Sequence, residues 1–245
     1  MVAIFCLRLG CGLMAALPLL PSAPINPRFY RVQFLTVLGL VVVATMFLRD
    51  QSDPAMWLVL AAAMALTFLG SIVWHVEGSP GGLALIWLSI PALVAALLMA
   101  GSAHGGPWVI ADDLTSAALL GSAATAMLMG HSYLIAPAMS LAPLYRLLGA
   151  LGICLVVRMV LAGAGLWLWT GRLGASNLET EMWLLLPVRW GLGLVAPLVL
   201  GWMAWESARI RSTQSATGIL YVVVILCFLG ELTSQLLLVK TGYIL

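Results

Sequence analysis

Apolar residues fill most of the chain in long blocks that polar residues interrupt only briefly. A helix that crosses the hydrocarbon core of a bilayer needs about 20 apolar residues. Seven blocks meet that length, over residues 31–48, 55–75, 83–101, 114–132, 143–169, 183–205 and 216–239. The segments between them are short, and none has the composition of an interdomain linker. The pattern predicts an all-α bundle over residues 1–245, with about seven or eight transmembrane helices and no soluble domain.

Residues 1–22 form a weaker membrane segment. Its apolar run over residues 3–21 is interrupted by Arg8, two glycines and two prolines. An arginine before a short apolar run, with small residues after it, is also typical of a cleavable signal peptide. Pro24 would follow the cleavage point, which disfavours cleavage. We therefore expect an eighth helix, with the signal peptide as the alternative.

Composition supports the membrane assignment. Of the 245 residues 63% are hydrophobic and 8% are charged, whereas soluble domains carry about 25% charged residues. A soluble globule of this size could not hide so much apolar surface from water, so the lipid bilayer is the first predicted partner. The net charge of +2 lacks the basic footprint that a nucleic-acid-binding protein needs.

Arginine placement predicts the orientation. We call the B end the side that holds residues 22–30, 76–82, 133–142 and 206–215, and the A end the opposite side. Arginines cluster at the B end, and acids dominate the A end at Asp50, Asp53, Asp112, Asp113, Glu179 and Glu181. Short loops rich in arginine stay in the cytoplasm. We expect a bacterial inner-membrane protein with its B end cytoplasmic and its C-terminus outside.

Three charged residues lie well inside the seven predicted blocks, away from the block ends, namely Arg158, Arg189 and Glu231. Charges are costly in hydrocarbon and mark functional sites by default. At about 1.5 Å of rise per residue all three lie roughly 9–16 Å from the A end, so they can meet. Ser234 and Gln235 share the face of Glu231, at i+3 and i+4. The cluster is either an ion pair that holds helices in register or a site for a polar head group such as a quinone, with Glu231 a candidate proton-relay carboxylate.

Two histidines, His75 and His131, end predicted helices at a similar depth near the B end. Imidazoles from two facing helices are the ligands of a b-type haem. His131 continues a stripe of small residues formed by Ala117, Gly121 and Ala124, which allows a cofactor to approach closely. The alternative is that the stripe packs against a neighbouring helix and that the histidines lie at the wet boundary.

A basic, hydroxyl-rich segment containing Arg209 and Arg211 precedes the last span. It is a candidate contact for lipid phosphates or a partner subunit. The alternative is that its positive charge only sets the membrane topology of the chain.

The function that these patterns favour is that of a membrane-embedded, accessory subunit of a respiratory-type electron-transfer complex. It would interact with quinone or a b-type haem, or both, and dock partner subunits. A structural or assembly subunit without chemistry of its own is the first alternative. A small transporter or channel is the second.

Overall fold

The computed structural model describes residues 1–21, 25–49, 53–75, 81–102, 107–136, 139–172 and 182–245. Over these ranges the chain contains no strand and eight helices long and apolar enough to cross a membrane, which confirms the fold class. In chain order they are α1 (Val2–Ala16, continued by a 3₁₀ turn at Leu17–Leu19), α2 (Pro27–Phe47), α3 (Pro54–Val73), α4 (Gly82–Ser102), α5 (Pro107–Ile135), α6 (Ala142–Arg172), α7 (Met182–Arg209) and α8 (Thr213–Thr241).

Local sequence sets several helix ends. Proline begins α2, α3 and α5, at the position where its missing N–H costs nothing. The side-chain oxygen of Asn26 accepts a hydrogen bond from the Arg28 N–H at 2.9 Å, and Asp53 caps α3 in the same way. Gly242, with a φ of 74°, ends α8 in the left-handed conformation that glycine adopts without strain.

The helix α5 begins seven residues earlier than the apolar pattern predicts. The apolar blocks leave residues 102–113 as a connection between two spans, and that prediction is wrong in its last part, because the helix starts at Pro107 and includes Asp112 and Asp113. Both carboxylates are buried. Hydropathy averaged over a sequence window assigns an acidic pair to a loop, because it contains no information about a basic partner far away in the sequence.

The segment with the weakest membrane pattern, α1, lies in the middle of the bundle. It packs against α5, α2 and α4. At Gly12 the approach to α5 is so close that a Cβ atom would overlap the backbone of Ala117 and Gly121. The small-residue stripe on α5 therefore receives a neighbouring helix at these positions, as in ordinary membrane helix packing.

Two prolines bracket an irregular stretch of α7. Residues Val188–Val195 are π-helical, between Pro187 and Pro197. Proline lacks the N–H that would bond one turn back, which favours a local change of helical pitch, and π-helical stretches are frequent at functional sites. The stretch carries Arg189 into the interior. At Gly193 it meets Gly230 of α8 so closely that neither position has space for a side chain.

The helices alternate in direction between the two ends. At the B end, Arg146 near the start of α6 donates to the Leu19 carbonyl after α1, and Tyr30 of α2 stacks on Trp74 at the end of α3. Large apolar side chains such as Leu58, Val160 and Ile225 are exposed on the outside, where spanning helices would contact lipid. Outside the described residues lie positions 22–24, which bear on the signal-peptide alternative, and three of the A-end acids, Asp50, Glu179 and Glu181.

Candidate functional site: a buried charge network

Arg158 of α6 is the centre of a network of buried charges in the A-end half of the bundle. Its Nη2 donates to Glu231 Oε2 at 2.7 Å and its Nε to Glu231 Oε1 at 3.1 Å, so the pair is bidentate. Its Nη1 donates to Asp112 Oδ1 at 2.5 Å. The planar guanidinium fork suits such recognition of two carboxylates. Arg158 thus joins α6 to both α5 and α8.

Arg189 of α7 reaches Glu231 from another side. Its Nη1 donates to Glu231 Oε1 at 3.0 Å, and its Nε donates to the backbone oxygen of Leu245, also at 3.0 Å. Ser234 donates to the same Leu245 oxygen at 3.3 Å. The residues after α8 therefore fold back onto the network, with Ile244 and Leu245 buried.

Arg8 of α1 completes the network. Its Nε donates to Asp113 Oδ1 at 2.8 Å, its Nη2 pairs with Asp112, and its Nη1 donates to Ser116 Oγ at 3.2 Å. Ser116 in turn donates to Glu231 Oε2 at 2.5 Å. Arg8 and Glu231 are thus linked through one hydroxyl.

The side chains of the network carry equal numbers of positive and negative charges. Three arginines face three carboxylates, and each of the six side chains is at most 2% exposed. Desolvating a charge costs several kcal/mol, so each ion depends on its partners, and removing one partner of a buried pair typically costs about 3–5 kcal/mol. Because the six residues come from α1, α5, α6, α7 and α8, the network ties five helices together.

Some polar atoms beside the network have no partner. Arg189 Nη2 and both amide atoms of Gln235 are buried and have no hydrogen bond within the part of the chain that the structure describes. Gln235 lies one turn after Glu231 on α8. A buried unpaired donor or acceptor costs about 1–3 kcal/mol. These three atoms therefore have unused hydrogen-bonding capacity.

Sequence reasoning identified one part of this cluster and missed another. The structure brings Arg158, Arg189, Glu231 and Ser234 into one connected set, with Gln235 beside it. Sequence reasoning assigned Arg8 to a broken segment and the acids of α5 to a loop. The sequence contains two signals that could have found them. Arg8 lies inside an apolar run and therefore requires an anion. Ser116 lies four residues after Asp112, on the same helical face.

The structure gives the histidines no common site. His75 is exposed, and its Nδ1 lies 2.9 Å from Arg31 Nη1. His131 is also exposed and lines a cavity between α2 and α5. The helix that precedes His75, α3, packs against α2 and α4, whereas α5 packs chiefly against α1, α6 and α8. Haem ligation by this pair stays a prediction, and an absorption spectrum with b-type bands would test it.

The basic segment before α8 is exposed. Arg209 pairs weakly with Glu206 at 3.4 Å, with its side chain 70% exposed. Arg211 has a φ of 62° and is also exposed. Both guanidinium groups therefore remain available at the B end. No group of three or more histidine, cysteine, aspartate or glutamate side chains able to hold a metal ion is found within the described ranges.

The fold and network define a class, a polytopic helical membrane bundle with an ionic core of three arginines and three acidic side chains. Comparison of the chain with protein-family models, with curated proteins and with solved structures found no match.

Proposed function

We propose that the chain is a membrane-embedded accessory subunit of an electron-transfer complex, and that the polar head of a quinone binds beside the charge network. The contribution proposed for this chain is binding and orientation, without a redox step of its own. Partner subunits would exchange electrons with the bound molecule.

The observation that carries this proposal is the set of unpaired atoms at Arg189 and Gln235. A quinone carbonyl accepts hydrogen bonds, which Arg189 Nη2 and the Gln235 NH₂ group can donate. A quinol hydroxyl donates, and the Gln235 amide oxygen can accept. The Glu231 carboxylate lies one turn away on the same helix. These groups suit a small, neutral head with both kinds of oxygen.

A second candidate function is that of a structural or assembly subunit. The observation that favours it is the mutual neutralisation of three arginines and three carboxylates across five helices. In this case the network holds the bundle in one register, and the unpaired atoms near it carry no ligand.

The orientation belongs to the same proposal. The exposed guanidinium groups of Arg28, Arg209 and Arg211 lie at the B end, which supports a cytoplasmic B end and an external C-terminus. The exposed segment around Arg209 and Arg211 would then face cytoplasmic partner subunits or lipid phosphates in a bacterial inner membrane.

A titration of purified protein in lipid nanodiscs separates the two candidates. The probe is a benzoquinone with a short alkyl tail, and the readout is quenching of tryptophan fluorescence, to which Trp190 beside Arg189 contributes. We expect saturable quenching in the unaltered protein and binding about tenfold weaker in Gln235→Leu, because a neutral hydrogen bond to the head is lost. Thr125→Val is the matched control, since it removes another buried, unpaired polar atom elsewhere.

Two results would overturn the quinone proposal. One is quenching without saturation in the unaltered protein. The other is equal affinity in Gln235→Leu and Thr125→Val. Either would leave the structural subunit as the better description, with the network as its carrying feature.

A further inference from the structure

A groove opens at the B end between the start of α2 and the end of α5. We call it the Gln33 groove. Its cavity measures about 270 Å³, and its walls are mostly apolar, with Phe29, Val32, Leu128 and Ile135 among them. Apolar walls with a few placed polar groups are typical of sites for small or amphiphilic molecules.

A buried glutamine lines the groove. Gln33 is 0% exposed, and neither its amide oxygen nor its amide nitrogen has a hydrogen-bond partner among the described residues. Its position in α2 lies six residues after Pro27, so the amide is well below the helix start. An apolar residue of similar size would avoid the cost of an unpaired amide. A ligand that meets the amide explains why the position carries a glutamine.

The mouth of the groove is basic. Arg28 lines it and is exposed, and its guanidinium has no partner among the described residues. Asn26 uses its side-chain oxygen to cap α2, which leaves its NH₂ group to donate elsewhere. His131 also lines the groove, and no carboxylate among the described residues does. The mouth therefore favours an anion, and the positive end of the α2 dipole adds to the attraction.

Depth separates the two kinds of polar group. Arg28 and Gln33 are five residues apart on α2, so about 7 Å of helix rise lies between the charged mouth and the neutral amide. A molecule that satisfies both needs an anionic group at the interface, a neutral hydrogen-bond acceptor deeper in, and an apolar tail beyond. Glycerophospholipids have this order, with a phosphate, then ester carbonyls, then acyl chains.

We propose that the Gln33 groove binds one anionic glycerophospholipid, with its phosphate at Arg28 and Asn26 and an ester carbonyl on the Gln33 amide. The site is at the opposite end from the charge network and shares no residue with the quinone site, so it stands independently of the proposed function. The lipid would fill the space between α2 and α5 and act as part of the bundle.

Native mass spectrometry on purified protein tests the assignment. The probes are phosphatidylglycerol and phosphatidylcholine with identical acyl chains, each added to delipidated protein in mild detergent. We expect one phosphatidylglycerol bound at least about tenfold more tightly than phosphatidylcholine, because both phosphates can reach Arg28 but the choline ammonium is repelled by the same guanidinium. Arg28→Gln should remove that preference. Gln33→Leu should weaken both lipids about tenfold, and the control Thr125→Val should change neither.

Competition distinguishes other occupants. Oleate supplies an anionic head without the glycerol esters, and the short-tailed benzoquinone supplies carbonyls without the charge. Neither should displace phosphatidylglycerol at equal concentration. Displacement by either probe, equal binding of the two phospholipids, or unchanged binding in Gln33→Leu would overturn the proposal. Because Arg28 is exposed, Arg28→Gln should fold normally and tests the headgroup assignment even if a buried variant does not fold.

Discussion

The buried carboxylates near the A end and the buried Gln33 amide at the B end differ in whether they have partners. Near the A end every carboxylate of the network has an arginine within hydrogen-bond distance. At the B end the buried Gln33 amide has no partner and borders an open groove. The difference follows from charge, because an unpaired ion costs far more in a low-dielectric interior than an unpaired amide. A buried neutral amide can therefore stay unpaired in the ligand-free protein, whereas a buried charged group cannot.

Glu231→Gln should produce the largest effect at the charged end. It leaves Arg158 and Arg189 short of an anion, and we expect a loss of about 3–5 kcal/mol in the free energy of unfolding. Thermal unfolding of purified protein in detergent, together with folded yield, would measure it. The matched control is Glu206→Gln, whose exposed pair with Arg209 should contribute at most about 1 kcal/mol. Equal stability of the two variants would contradict the burial of Glu231.

Arg8 and Asp113 should be energetically coupled. Arg8→Met leaves Asp113 without the only cation that the described residues give it, so we expect a loss of about 3 kcal/mol or more. Adding Asp113→Asn should recover part of that loss, with a coupling energy of about 0.5–3 kcal/mol. A double-mutant cycle on unfolding free energies measures it. Strict additivity would show that α1 and α5 do not meet at this pair.

The two glutamines should respond in the opposite direction from the charges. In delipidated protein Gln33→Leu and Gln235→Leu should each raise the free energy of unfolding by about 1 kcal/mol, because each removes an unpaired buried amide. Adding phosphatidylglycerol should stabilise the unaltered protein and Gln235→Leu more than Gln33→Leu, because the lipid binds that variant more weakly. Thermal unfolding with and without lipid measures both the change in the free energy of unfolding and the stabilisation by the lipid. A destabilised Gln33→Leu in the lipid-free state would indicate that the amide has a partner within the bundle.

The smallest expected effect on the bundle comes from reporter fusions that test which end faces the cytoplasm. Reporter fusions after Glu206 and after Arg172 should lie on opposite sides of the membrane, with the Glu206 fusion inside, because arginine-rich short segments stay in the cytoplasm. The bundle itself should be unchanged, which folded yield would verify. The reverse pattern would place the basic mouth of the Gln33 groove outside and would overturn the orientation.

Several parts of the site can be predicted from sequence, because each depends on the geometry of a single helix. The depth of Arg158 or Glu231 follows from counting residues along a regular helix, and an apolar run around a charge already requires a partner. The start of α5 was not accessible in this way. Window hydropathy excluded Asp112 and Asp113, and only their contact with Arg8, more than 100 residues away, makes their burial possible.

The sequence by itself determined that this chain forms apolar spanning helices, with charges at depths that let them meet in the A-end half. Tertiary structure alone decided which helix faces meet. The contact of Gly12 with Ala117 and Gly121 draws α1 into the centre and brings Arg8 to its acids. Packing also left the Gln33 amide unpaired beside a groove, although its sequence neighbourhood contains nothing unusual. The physical reason is that depth in a membrane is a property of one helix, whereas pairing depends on the approach of two helices.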